Sequence, residues 1–227
     1  MPGTEVQFQS NGATANGYLA TPSSGGGPGV VVIQEWWGLN DQIRGVADRF
    51  AEKGYVALAP DLWRGKVVSE PDEAGKLFMA LNVDQAAKDL RGAVQHLGQH
   101  AAVGQRPVGV IGFCMGGQLA LYAGTVAPEI AAVVDCYGVH PNVQPDFSKL
   151  KAPVLGLFGG QDGFVSAEAR EGLDQQLSAA GIEHEFHTYP DADHAFLNET
   201  NEHYDAARAQ DAWGKIDGFL GRHLKRN

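Results

Sequence analysis

Cysteine is scarce in this sequence, with two among 227 residues, too few for a disulfide framework. A reduced, cytoplasmic setting is the expectation that follows. No apolar run approaches the ~18 residues of a membrane-spanning helix, so no membrane partner is expected. Basic residues are outnumbered: 17 Lys and Arg stand against 27 Asp and Glu, a formal net charge of −10. No Lys/Arg-rich block precedes the short stretch Arg222-His223-Leu224-Lys225-Arg226. That balance argues against nucleic acid as a partner, although one local arginine can still serve a small anion. Met1 to Ser10 has neither the basic nor the apolar segment of a secretory leader, so no signal peptide is expected. Internal repeats and interdomain linkers are missing too. At 44% hydrophobic residues, the chain suits one domain over residues 1–227.

What is present is an alternation of strand and helix signals. Val6-Gln7-Phe8 and Gly17-Tyr18-Leu19-Ala20 read as an antiparallel hairpin at a sheet edge, and Thr21 to Gly29 as a loop. Val30–Ile33 is a buried strand, followed by Gln34-Glu35-Trp36-Trp37-Gly38 at the end where α/β sheets hold their ligands. Ile43, Val46, Ala47 and Phe50 share one helix face, with Gly54 as its stop. Tyr55–Ala59 reads as a strand, Val67–Asn82 as a partly helical insertion over a pocket, and Val83–Leu97 as an amphipathic helix. Later come strands at Val108–Ile111, Ala132–Tyr137, Val154–Phe158 and Glu183–Tyr189. Helices are expected at Ala167–Ala180 and Asn201–Leu220, the latter with Ala206, Trp213, Ile216 and Leu220 inward. Such alternation predicts an α/β fold, a mostly parallel central sheet with helices on both faces.

Gly112-Phe113-Cys114-Met115-Gly116 stands where a buried strand meets a helix. A strand turning sharply into a helix through G-x-nucleophile-x-G is the nucleophile elbow of the α/β-hydrolase fold, here with cysteine as the nucleophile. The glycines permit a strained turn, and the helix N-terminus sets a positive dipole end beside the sulfur. A nucleophile needs a base, and the base an orienting group. In the elbow architecture these follow in the order nucleophile, acid, histidine. Asp162, in Gly159-Gly160-Gln161-Asp162-Gly163, and His194, in Pro190-Asp191-Ala192-Asp193-His194, occupy those places, each just after a strand. The competing readings are a turn aspartate and a solvated loop histidine. Eight histidines invite a metal reading, but His184 and His187 fall on opposite faces of a strand, which argues against a shared ion. No metal and no cofactor is expected.

The sequence resembles the dienelactone hydrolase (carboxymethylenebutenolidase) family nearly end to end. The resemblance rests on Gln34-Glu35-Trp36-Trp37-Gly38, Ala59-Pro60-Asp61-Leu62, Gly112–Gly117, Gly160-Gln161-Asp162 and His194-Ala195-Phe196. It implies a Cys114–His194–Asp162 triad with Glu35 beside the sulfur, and an oxyanion hole from the backbone N–H groups of Met115 and Trp36. It also implies that the glutamate holds or receives the thiol proton, that an acyl-enzyme forms, and that the protein is a monomer. A free thiol ionises near pH ~8.5, so such a partner has chemical use.

The sequence departs from the family's chlorocatechol-pathway members at their carboxylate clamp of two arginines and a tyrosine. Glu70 to Met79 contains neither residue type, and the position four after His194 is Asn198. Arg64 is available as a substitute cation, with a solvated arginine as the other reading. Trp36, Trp37 and Tyr137 suggest an aromatic pocket. The expected activity is hydrolysis of a lactone or small ester. A broader carboxylesterase or thioesterase stands as the neighbouring reading, and a non-catalytic ligand-binding protein on the same fold as the distant one. Cys136 lies in a strand away from the elbow, so a redox role for Cys114 has no resolving partner.

Overall fold

The computed structural model of the protein describes residues 2–10 and 12–225. The edge hairpin is formed by β1 (Thr4–Ser10) and β2 (Ala13–Ala20). The other strands are β3 (Gly29–Ile33), β4 (Val56–Pro60), β5 (Val108–Phe113), β6 (Ile130–Cys136), β7 (Val154–Gly159) and β8 (His184–Tyr189). Together they make one sheet in the order β1-β2-β4-β3-β5-β6-β7-β8. β2 joins β4 antiparallel, and every later pairing is parallel. Strands β3, β4, β5 and β7 are buried at every residue, as continuous Val/Ile/Leu runs require when both sheet faces are covered.

The helices are α1 (Asp41–Glu52), α2 (Pro71–Met79), α3 (Val83–Gln99), α4 (Met115–Val126), α5 (Ala167–Ala179) and α6 (Ala206–Leu224). Side chains of Asn40, Asn82, Ser166 and Asp205 cap α1, α3, α5 and α6 by accepting from a backbone N–H of the first turn. Two glycines of β5 show how the layers divide. A Cβ on Gly109 would press on Leu220 and Leu224 of α6, whereas one on Gly112 would overlap the Gly116 carbonyl of α4. Residues three apart on a strand face opposite ways, so α6 and α4 lie on opposite sides of the sheet. On the α6 side, Phe50 of α1 meets Trp213 at 5.9 Å between ring centroids.

The last helix differs from expectation: it starts at Ala206, which is exposed, and its inward face is Ala209, Ala212, Trp213, Ile216, Phe219 and Leu220. Asp205 explains the delay. Its backbone N–H donates to Phe196 O at 3.1 Å while its side chain caps Arg208 N at 2.9 Å, so residues 198–204 are held as turns. The 67–82 insertion contains α2, with Pro71 in its first turn.

Candidate active site

At the end of β5 the chain turns into α4 through Cys114, whose backbone sits at φ 54, ψ −123. A side-chain-bearing residue there costs roughly 1–3 kcal/mol, so its surroundings must enforce it. They do so by close packing. A Cβ on Gly116 would lie 2.5 Å from the carbonyl oxygens of both Ile33 and Gln34. Cys114 N donates to Cys136 O at 3.0 Å, and Cys114 O accepts from Gly117 N at 2.9 Å. The result is a buried cysteine, 8% exposed, whose side chain lines a cavity.

Two loops at the same end of the sheet bring an acid and a histidine together. After β7, Gly160 N donates to Tyr189 O at 2.7 Å and Gln161 N to Ala192 O at 2.9 Å, fastening that loop to the one after β8. Asp162 is buried, and its Oδ1 accepts from Phe164 N and Val165 N at 2.7 and 3.0 Å. Its Oδ2 meets His194 Nδ1 at 2.8 Å. Burial works against charge on both groups. The hydrogen bonds and the facing charge prevail, holding the Asp162 carboxyl below its ordinary range. Burial likewise opposes the His194 imidazolium, but the bond to Asp162 and the neighbouring Cys114 push its pKa up to about 10.

Glu35 follows β3 and is 3% exposed. Asn198 Nδ2 donates to its Oε2 at 2.7 Å, and Tyr137 Oη approaches its Oε1 at 3.5 Å. The Asn198 amide has one possible orientation, since its Oδ1 accepts from Thr200 N and Thr200 Oγ1 at 2.9 and 2.8 Å. Desolvation raises the Glu35 pKa, against the opposing pull of Asn198, His194 and Tyr137. The backbone N–H of Met115 opens α4, where an N–H has no acceptor within the helix. Among the described residues nothing accepts from Trp36 N–H either. The Trp36 carbonyl is pinned by Trp63 Nε1 at 2.9 Å.

Cys114, His194 and Glu35 thus face one cavity of about 430 Å³, which Trp36 and Trp37 also line. Two expected pocket residues do not line it. Arg64 Nη2 is spent on Asp89 at 2.6 Å, a carboxylate that also accepts from Ser10 Oγ and Gln85 Nε2. Tyr137 is wholly buried behind the site, its ring 5.1 Å from that of His194 and its hydroxyl at Glu35. Burial pushes the Cys136 thiol well up, leaving it a neutral core side chain. Phe78, Val139, Pro141 and Phe164 complete the apolar wall. None of these four carries a motif; only the reading of 67–82 as an insertion over a pocket hinted at Phe78. Among the described residues no cluster of His, Cys, Asp and Glu is suited to hold a metal, and no helix is long and apolar enough to cross a membrane.

The sequence model of the dienelactone hydrolase family matches residues 15–224. The chain is 37% identical to Protein usf of Aquifex pyrophilus, over 98% of this chain and 99% of that one. It is similar in structure to a dienelactone hydrolase-like promiscuous phosphotriesterase from metagenomic libraries, with a TM-score of 0.88, 22% identity and 98% of each chain covered. A dienelactone hydrolase from Anabaena variabilis gives a TM-score of 0.72 at 20% identity, over 99% of this chain and 100% of that one. At those identities the two structures speak for the α/β-hydrolase fold alone. With the family's sequence pattern running through all but the ends of the chain, this protein belongs to the dienelactone hydrolase family and is a hydrolase of that type.

Proposed function

We propose that the protein hydrolyses a lactone or small carboxylic ester with Cys114 as nucleophile, His194 as acid and base, and Asp162 as the group that orients the imidazole. The observation that carries this reading is the 2.8 Å bond from Asp162 to His194 Nδ1. It commits one ring nitrogen and leaves Nε2 for the sulfur side of a ring that shares the cavity with Cys114. An imidazolium there is the counter-charge a thiolate needs, and Glu35 is the buried carboxyl that receives or holds the thiol proton.

The chemistry runs in two halves. The Cys114 sulfur attacks the ester carbonyl, and the negative charge gathers on the carbonyl oxygen beside the N–H groups of Met115 and Trp36. The carbon–oxygen bond then breaks, the imidazolium protonates the departing alkoxide, and a thioester remains on Cys114. Neutral His194 next takes a proton from water, the hydroxide displaces the sulfur, and the acid leaves. One chain supplies every group, so a monomer suffices.

Steady-state hydrolysis of a dienelactone and of p-nitrophenyl acetate, with wild type beside Cys114→Ala, tests the reading. Turnover of either ester by wild type with at least ~10³-fold loss in the variant is expected. Turnover that persists in Cys114→Ala would overturn the assignment.

A further inference from the structure

The wall of the cavity is aromatic and apolar: Trp36, Trp37, Phe78, Val139, Pro141 and Phe164. Trp36 and Phe78 meet edge to face at 6.3 Å. Phe164 packs at 4.9 Å on the His194 ring yet is 65% exposed, a large apolar surface left to water beside the reacting atoms. A flat aromatic ring seated in the cavity would cover it.

The charges at the mouth have one sign. Asp193, Asn201, Glu202 and His203 form the rim, and among the described residues no Lys or Arg lines the cavity. His203 lies between the two acids, its Nδ1 3.5 Å from Asp193 and its Nε2 4.0 Å from Glu202, so one imidazole stands against two carboxylates. Glu35 at the floor takes its hydrogen bonds from neutral donors, Asn198 and Tyr137. Arg64 is held by Asp89. A substrate carboxylate entering here would lose its hydration, find no cation beyond the His194 imidazolium already paired with Asp162, and pass two acidic side chains.

We propose, on the basis of the hydrolase reading above, that this cavity selects uncharged aromatic esters or lactones and rejects those bearing a carboxylate. Asp193 and Glu202 are the rim charges that set the preference, and Phe78 and Phe164 supply the ring surfaces. The preference is a difference between two affinities, built as much on what repels the acid as on what attracts the ring.

The test is a matched pair of acetate esters, methyl 4-acetoxybenzoate and 4-acetoxybenzoate, each kcat/KM divided by that ester's own rate with hydroxide. The neutral ester should lead by at least tenfold, and Glu202→Lys should narrow the gap threefold or more. Equal or faster cleavage of the carboxylate, or a gap that Glu202→Lys leaves unchanged, overturns the proposal while the hydrolase reading stands. If neither ester is cleaved, hydrolysis of p-nitrophenyl acetate decides whether the hydrolase reading fails. Quenching of tryptophan fluorescence by methyl benzoate and by benzoate still reads the charge preference in that event. Tighter binding of methyl benzoate supports the proposal, and equal or tighter binding of benzoate overturns it.

Discussion

Four non-glycine residues among those described hold positive φ; Arg64, at 56, lies away from the cavity, while Cys114, Tyr137 and Ala195, at 54, 44 and 59, lie at or beside His194. Strain gathered in one place is what a preorganised site requires, and its cost is met by packing elsewhere. Asp135 is a second buried oddity. Among the described residues neither carboxylate oxygen has a hydrogen-bond partner, and a Cβ on Gly117 or Gly138 would overlap its Oδ1. Burial outweighs the pull of the nearby Gly138 backbone and raises Asp135 from its ordinary 3.8 to about 7. A carboxyl raised in this way stabilises the fold fully below its unfolded pKa, and that contribution is lost as pH rises through the folded pKa. Asp135→Asn should therefore match wild type near pH 4 and gain on it up to pH 7, by at most ~4 kcal/mol for a rise of this size. Thermal denaturation across that range measures it. At the other side of the site, Asn198→Ala removes a hydrogen bond that lowers the Glu35 pKa. The acid limb of kcat/KM should move to higher pH, and stability should fall by ~1–3 kcal/mol as a buried carboxyl oxygen loses its donor.

Among the elements, α4 is the one whose entry admits no compromise. Gly116→Ala would place a methyl group against two backbone carbonyls, Ile33 O and Gln34 O, that cannot rotate away. Loss of ~3 kcal/mol or more in denaturant titration is expected, with activity falling as the elbow deforms. Gly172 gives the contrast. It lies inside α5 with nothing within 4 Å of an added Cβ, so Gly172→Ala should stabilise by up to ~1 kcal/mol through helix propensity. Helix α2 forms one wall of the cavity and is fastened at its C-terminal end. His140 Nε2 lies 2.9 Å from Phe78 O, and the two rings meet tilted at 4.3 Å between centroids. His140→Ala should release Phe78 from that position, raising KM for aromatic esters more than it lowers kcat.

Across the whole molecule, the strands were legible because parallel strands covered on both sides read as β-branched runs without polar residues, such as Val30–Ile33 and, with one glycine, Val108–Ile111. The elbow and the order Cys114, Asp162, His194 were legible for a related reason: each stands at a strand's end, and strand ends converge on one side of a parallel sheet. What stayed hidden was tertiary pairing without periodicity. Asn198 meets Glu35 across 163 residues, and Arg64 meets Asp89 across 25. No local pattern reveals that the first replaces a clamp with a positioning amide, or that the second removes a candidate cation from the site. The start of α6 was misread for a similar reason, since the turns at 198–204 depend on bonds to Phe196 and Asn198.

The central claim is a covalent one, that the acyl group passes through Cys114. The most direct measurement is rapid acid quenching of the enzyme mixed with p-nitrophenyl acetate, followed by peptide mass spectrometry. A single acetyl group on the peptide containing Cys114, formed within the first turnover and persisting longer in His194→Ala, is the predicted result. Steady turnover with Cys114 unmodified throughout, or with the acetyl group on another side chain, would contradict it.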